Sequence, residues 1–248
     1  MSTGRAVLFD VDGTLYHQGP LRAAMASELG VSPWLHRRPS EVPQLWRVLR
    51  AFRRIREELR DSTDGGEPLA MAQYTRTAAR LGVDVALVRA AVDEWIFTRP
   101  LKYLPLVRRA GTGAALAACR ARGWRIGVFS DYPTVQKLRA LGLHELVSVE
   151  VCATDEAVNA FKPHARGFLH ACERLGVDPA GVVYVGDRPE VDAAGAIAAG
   201  LRAVVIGGRH GSAGPACGHV RSMPDLTGAI TRAFAGESPR RGFAVQES

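Results

Sequence analysis

Two aspartates one residue apart, Asp10 and Asp12, close the apolar run Val7-Leu8-Phe9 and are followed at once by Gly13. One such carboxylate could serve as a nucleophile or a metal ligand, the other as a general acid and base. Val7 to Phe9 reads as a short buried strand, and Gly13 permits a sharp turn after it. The pair therefore falls at the carboxyl end of a strand, where open α/β sheets bind their ligands. Taken alone, Asp-x-Asp is also what a strand ending in a solvated turn looks like. The chemistry depends on what else the chain brings to the same place.

Three later segments bring it. Arg125 to Ser130 is a second apolar run, ending in a hydroxyl with Asp131 beside it. Phe161-Lys162-Pro163 sets a lysine just before a helix-like stretch. Val182 to Asp187 is a third apolar run, ending in Gly-Asp, and Asp192 follows five residues later. Strand ends and helix starts thus deliver Asp/Asp, Ser, Lys and Asp/Asp in that order. In a chain with only three lysines (Lys102, Lys137 and Lys162) among 32 basic residues, a lysine at position 162 suggests that a compact point charge is wanted there.

This series, running from about Arg5 to Ile206, resembles the haloacid dehalogenase superfamily, most of whose members are magnesium-dependent phosphatases. The resemblance implies that Asp10 attacks phosphorus to form an aspartyl-phosphate. Asp12 would protonate the leaving alkoxide and then deprotonate the water that cleaves the intermediate. Mg2+ would be held by a carboxylate oxygen of Asp10, the backbone carbonyl of Asp12, and Asp187, with Asp192 one step further out on the metal waters or Lys162. Ser130 and the backbone amide of Asp131 would hold a phosphate oxygen, and Lys162 would offset phosphate charge. The Asp131 side chain stays outside the core set, because many relatives carry asparagine there, and Arg188 reads as a loop brace. Asp12 argues against the metal-free dehalogenases and against phosphonoacetaldehyde hydrolases, which lack an aspartate at that position. A phosphomutase of the β-phosphoglucomutase type keeps every core residue and is the rival enzyme. A binding protein that retains the fold without catalysis is the rival from another class.

The elements that must position these residues alternate regularly. From Lys102 onward, helix-like and strand-like stretches succeed one another: strands end at Ser130, Ala153, Val185 and Ile206, and helices lie between them. This rhythm predicts an α/β fold, a doubly wound parallel sheet with helices on both faces. Between Gly19-Pro20 and Pro100 the texture is helical and no strand is evident. Leu45, Val48, Leu49, Phe52, Ile55 and Leu59 recur at the spacing of one helix face. The expected organisation is core over 1–19, an inserted all-helical cap of the C1 type over 20–100, core over 101–235, with Met223 to Ala235 as a closing helix, and a mobile tail over 236–248. The stretch Arg37 to Arg60 contains eight arginines. A solvated face enriched by compositional bias is their plain reading. The sharper one places some of them, tested at Arg47, Arg50, Arg53 and Arg54, at the mouth of the site, where they would favour substrates with an anionic group beyond the transferred phosphate.

At 248 residues the chain has ample length for one core with an insert, and its 47% hydrophobic content is that of a globular protein. The net charge of +7 invites a nucleic-acid reading, but arginine dominates the whole chain and no basic patch is interleaved with aromatics, so no nucleic-acid partner is expected. No run approaches the roughly 20 apolar residues of a membrane span. The expected partner is a small phosphorylated substrate, and nothing in the sequence specifies an oligomeric state. Cys119, Cys152, Cys172 and Cys217 lack paired spacing and read as free thiols, which with the absence of a signal-like leader predicts a cytoplasmic protein. Cys217 with His210 and His219 reads as a plain loop rather than a metal site.

Overall fold

The computed structural model describes residues 4–35, 42–60, 67–207 and 217–236. The tail expected beyond residue 236, most of the polar break at 61–68, and His210 lie outside them. Six strands form one sheet: β1 (Ala6–Phe9), β2 (Arg125–Ser130), β3 (Val149–Cys152), β4 (Val182–Gly186), β5 (Arg202–Ile206) and β6 (Cys217–Val220). All pairings are parallel, in the order β3-β2-β1-β4-β5-β6. Parallel strands covered by helices are buried on both sides, and every residue of β1 and β4 is buried. Alternation sorts their side chains. Leu8, Phe129, Tyr184 and Val205 face α8 (Ala165–Leu175) and α9 (Ala194–Ala198). Val7, Phe9, Val128, Val185 and Ile206 face α6 (Thr112–Ala121) and α10 (Met223–Ala235).

The sequence treated Ala203 to Ile206 as the last strand and the surroundings of Cys217 as loop. Cys217–Val220 is instead a sixth strand, with Ala203 opposite Cys217 and Ile206 opposite Val220. Cys-Gly-His-Val carries no apolar run, and an edge strand needs to bury less than a central one.

Between β1 and α6 the described residues form α1 (Gln18–Leu35), α2 (Val42–Arg60), α3 (Leu69–Leu81), α4 (Val85–Val92), a wide turn at Asp93–Thr98, a tight one at Arg99–Tyr103, and α5 (Leu104–Val107), joined by short non-helical turns and with no named strand among them. Gly19-Pro20, read as a break, lies inside the first turn of α1. Proline is tolerated there because the first-turn amides have no intrahelical partner in any case. Helical structure also runs past Pro100 to Val107. Entry and exit then pair: Tyr16 bridges Arg108, the His17 amide donates to Val107 O at 2.9 Å, and the Arg109 amide to Leu15 O at 3.1 Å. This clasp fixes the helical insert over the carboxyl ends of the strands. In α2 the predicted face is buried at Val48, Leu49, Phe52, Ile55 and Leu59, and Arg56 is buried with it. Among the described residues no helix is long and apolar enough to cross a membrane.

Candidate active site

The strand order reverses beside β1, and at such a switch point the loops after adjacent strands open a crevice. Phe9 is in register with both Val128 and Val185, so the residues that follow these strands arrive at one level. The Asp10 amide donates to Val185 O at 2.8 Å, placing its side chain directly above the sheet. The turn beyond uses Gly13 at φ +98°, where a Cβ would stand 2.4 Å from Asp187 Oδ2. Glycine is therefore required twice over, by the backbone and by the approach of Asp187. Arg109 donates to the Gly13 carbonyl at 2.7 and 3.2 Å and pins the turn.

Lys162 stands at the centre. Its ammonium donates to Asp10 Oδ1 at 2.6 Å, Asp192 Oδ1 at 2.6 Å and the Tyr184 hydroxyl at 3.0 Å, and the residue is only 3% exposed. Burial disfavours the ammonium, yet Asp10 and Asp192 outweigh it and hold Lys162 charged well above its usual range. An aromatic floor supports it. Tyr184 donates to Phe129 O at 3.1 Å, and the Phe168 ring meets both the Phe129 and Tyr184 rings edge-on at 4.9 Å. Asp192 comes close because Gly186 has no side chain: a Cβ there would lie 2.4 Å from that of Asp192. The second Asp192 oxygen accepts the Arg188 amide at 3.0 Å.

Asp10, Asp187 and Asp192 bring one carboxylate oxygen each within 4.8 Å of one another. Asp187 Oδ1 is buried without a hydrogen-bond partner. Burial, then the Asp192 charge, push the Asp187 carboxyl up to about 6. Three carboxylates facing one ammonium leave a negative excess, and an unpaired buried oxygen is costly unless something takes it up. An all-oxygen set of this kind fits a hard divalent cation such as magnesium. Asp192 holds Lys162, and one of its carboxylate oxygens also lies in this cluster.

Asp12 turns the other way. Its Oδ1 accepts from Lys137 Nζ at 2.5 Å and from the Tyr16 hydroxyl, and its Oδ2 accepts from Ser130 Oγ at 3.2 Å. Burial raises its pKa, but the Lys137 charge and the three donors prevail and hold it below the usual carboxylate range. Burial and the Asp12 charge keep the Tyr16 hydroxyl protonated as a donor. The structure thus brings Asp10, Asp12, Ser130, Lys162, Asp187 and Asp192 into one cleft. Ser130 meets Asp12 and accepts the Tyr132 amide at 3.2 Å. The Asp131 carboxylate pairs with Arg60 at 2.8 Å and accepts the Lys162 amide at 3.1 Å, which bolts the insert to the core. Arg188 lies 3.3 Å from Glu190 and 3.8 Å from Glu57 across the cleft.

Sequence reasoning passed over Lys137 and Tyr16. Lys137, on α7 (Val135–Ala140), and Tyr16, in the turn region after β1, sit where such residues ordinarily meet solvent, although the scarcity of lysine that marks Lys162 applies to Lys137 too. Of Arg47, Arg50, Arg53 and Arg54, Arg53 lines the cleft, and it is joined by Arg56 and Arg60. Arg56 lies 3.9 Å over the Tyr132 ring and donates to Asp131 O at 2.6 Å, a packed brace rather than a solvated charge.

Comparison with known proteins defines the class. The description "haloacid dehalogenase-like hydrolase" matches residues 5–200, and the chain belongs to that family. It is 31% identical over 210 residues to the glyceraldehyde 3-phosphate phosphatase of Methanopyrus kandleri, covering 82% of this chain and 83% of the relative. To the plasmid-encoded phosphoglycolate phosphatase of Cupriavidus necator it is 31% identical over 227 residues, covering 85% and 83%. The solved structure of a HAD phosphatase from Thermococcus onnurineus superposes with a TM-score of 0.61 at 26% identity, covering 94% of this chain and 99% of that one.

Proposed function

We propose that this chain is a magnesium-dependent phosphomonoesterase that hydrolyses a small phosphorylated metabolite through an aspartyl-phosphate on Asp10. The observation that carries the reading is the division of labour between the two aspartates. Asp10 faces Lys162 and the Asp187–Asp192 cluster, whereas Asp12, two residues on, faces Lys137, Tyr16 and Ser130. One carboxylate is set among groups that can hold phosphate and metal, the other among donors that hold it ionised. Phosphatase relatives at 31% identity over most of the chain support the same reaction.

Asp10, Asp187 and the backbone carbonyl of Asp12 would hold the cation, with Asp192 beside them. When bound, magnesium supplies positive charge against the phosphate oxygens. Asp10 attacks phosphorus in line with the leaving oxygen, and the bond from phosphorus to that oxygen breaks. Lys162 offsets equatorial charge, and Ser130 donates to a phosphate oxygen once Asp12 moves away from it. Arrival of a phosphate dianion raises the proton affinity of Asp12, so it can carry the proton that the leaving alkoxide takes. Asp12 then removes a proton from the water that attacks the acyl phosphate. Inorganic phosphate departs, and Asp10 is regenerated.

Phosphate release across a panel of phosphate esters, with magnesium and with chelator, tests this reading. Magnesium-dependent release is expected. A phosphomutase would convert its substrate without releasing phosphate at turnover, and full release in excess chelator would refute the reading.

A further inference from the structure

A cavity of about 330 Å3 adjoins the catalytic cleft on one side only. It is lined by Asp12 and Lys137 but by none of Asp10, Lys162, Asp187 or Asp192. The two spaces meet at Asp12, Gln18, Arg22, Arg53 and Tyr132. Beyond that mouth the wall is mainly apolar, built by Leu21, Met25, Leu29, Trp46, Leu49 and Trp95 from the helical insert. Leu29, Leu49 and Trp95 pack as one buried cluster, so the wall is a formed surface rather than a gap between mobile side chains.

The position of Asp12 says what belongs there. A phosphoryl group held at Asp10 and Lys162 leaves its ester oxygen toward the acid that must protonate it. The alcohol attached to that oxygen therefore extends past Asp12, into this cavity. A glycolate or glyceraldehyde leaving group ends at the mouth, beside Gln18, Arg22 and Arg53, and leaves the apolar wall beyond it unfilled. An apolar body would fill the space favourably. An engineered apolar cavity of roughly 150 Å3 takes up one benzene, so this one admits roughly two ring volumes.

We propose that the substrate is a phosphate monoester whose alcohol carries an apolar aryl or alkyl body, seated against Leu29, Leu49 and Trp95 with its ester oxygen at Asp12. The proposal rests on the reading of the site as a phosphomonoesterase. It assigns a leaving-group class different from those in the names of the two relatives at 31% identity.

The test compares kcat/KM of the magnesium-loaded protein for methyl, butyl, hexyl and benzyl phosphates, phosphoglycolate and glyceraldehyde 3-phosphate. These alcohols are all poor leaving groups, so differences among them report mainly binding of the alcohol. Each methylene should raise kcat/KM about fourfold until the cavity is full. Benzyl phosphate should exceed phosphoglycolate by at least about tenfold. A flat alkyl series, or phosphoglycolate or glyceraldehyde 3-phosphate turned over faster than benzyl phosphate, overturns the proposal and leaves the phosphatase reading intact. Calorimetric binding of benzylphosphonate against methylphosphonate separates the two claims. Preference for the benzyl compound with no ester hydrolysed would sustain the cavity and refute the phosphatase. Ala26, which lines the cavity from an exposed position on α1, supplies a variant. Ala26→Phe should lower the benzyl-to-methyl ratio of kcat/KM about tenfold, and an unchanged ratio counts against the proposal. If that variant does not fold, the ligand series on the unaltered protein still decides.

Discussion

Replacing Lys137 by methionine isolates the contact that the sequence did not reveal. Methionine keeps the apolar stem and removes the ammonium, leaving Asp12 with Tyr16 and Ser130 as its side-chain donors. The side chains of Lys137 and Asp12 are 8% and 14% exposed, so solvent screens the pair little. Removing one partner of a buried pair costs about 3–5 kcal/mol, because the other charge stays buried without it. Two surviving donors place Lys137→Met at the lower end, about 3 kcal/mol, or on the order of a hundredfold in the unfolding equilibrium. Urea unfolding at pH 7 of the parent, Lys137→Met, Asp12→Asn and the double variant measures it. The cycle should return a coupling of at least about 1.5 kcal/mol. Asp12 has a lowered pKa in the folded protein, so the pair's contribution is present above the unfolded value near 3.8 and lost as pH falls through the folded value. The gap between parent and Lys137→Met should therefore narrow in acid, beginning where Asp12 of the variant, with burial no longer opposed by the lysine, takes up its proton. A loss below about 0.5 kcal/mol at pH 7, or no coupling to Asp12→Asn, would refute the assignment of Lys137 as the holder of Asp12.

Four further outcomes follow from the same geometry. With Asp187 near 6 in the metal-free protein, protons should compete with magnesium, so its affinity, followed by calorimetry, should weaken as pH falls through 6. The raised Asp187 value also means that this group's contribution to metal-free stability is present below the unfolded pKa and lost as pH rises through 6, so magnesium should raise Tm more at pH 7 than at pH 5. Gly13→Ala should cost about 1–2 kcal/mol for the left-handed backbone alone and should displace Asp187, read as a higher magnesium requirement; an unchanged requirement would contradict the close approach. Asp12→Asn should slow phosphoryl transfer from an alkyl ester more than from p-nitrophenyl phosphate, whose leaving group needs less protonation, and equal losses would count against Asp12 as the acid.

Much of this was legible from sequence for a physical reason. Central strands of a parallel sheet are buried on both faces, so β1, β2, β4 and β5 appear as apolar runs, and candidate site residues Asp10, Ser130 and Asp187 fall at the ends of three of them. Where burial is one-sided or brief, the signal fades. Strand β6 is Cys-Gly-His-Val, and Gly19-Pro20 reads as a break although it opens α1. The polar residues that were missed are those buried against expectation. Arg56 follows Phe52 by four residues and precedes Leu59 by three, which puts it on the apolar face of α2. That spacing is present in the sequence, but arginine on a helix ordinarily meets solvent, so the residue type conceals the burial. Lys137 and Asp12 are 125 residues apart, and no periodicity reports a contact of that kind.

If Asp10 carries the phosphoryl group, acid quench during turnover of a labelled phosphate ester, followed by peptide mapping, should give a hydroxylamine-sensitive acyl phosphate on Asp10, absent from Asp10→Asn, which should also release no phosphate. Label on another residue, or phosphate release from Asp10→Asn at a tenth of the parent rate or more, would contradict it.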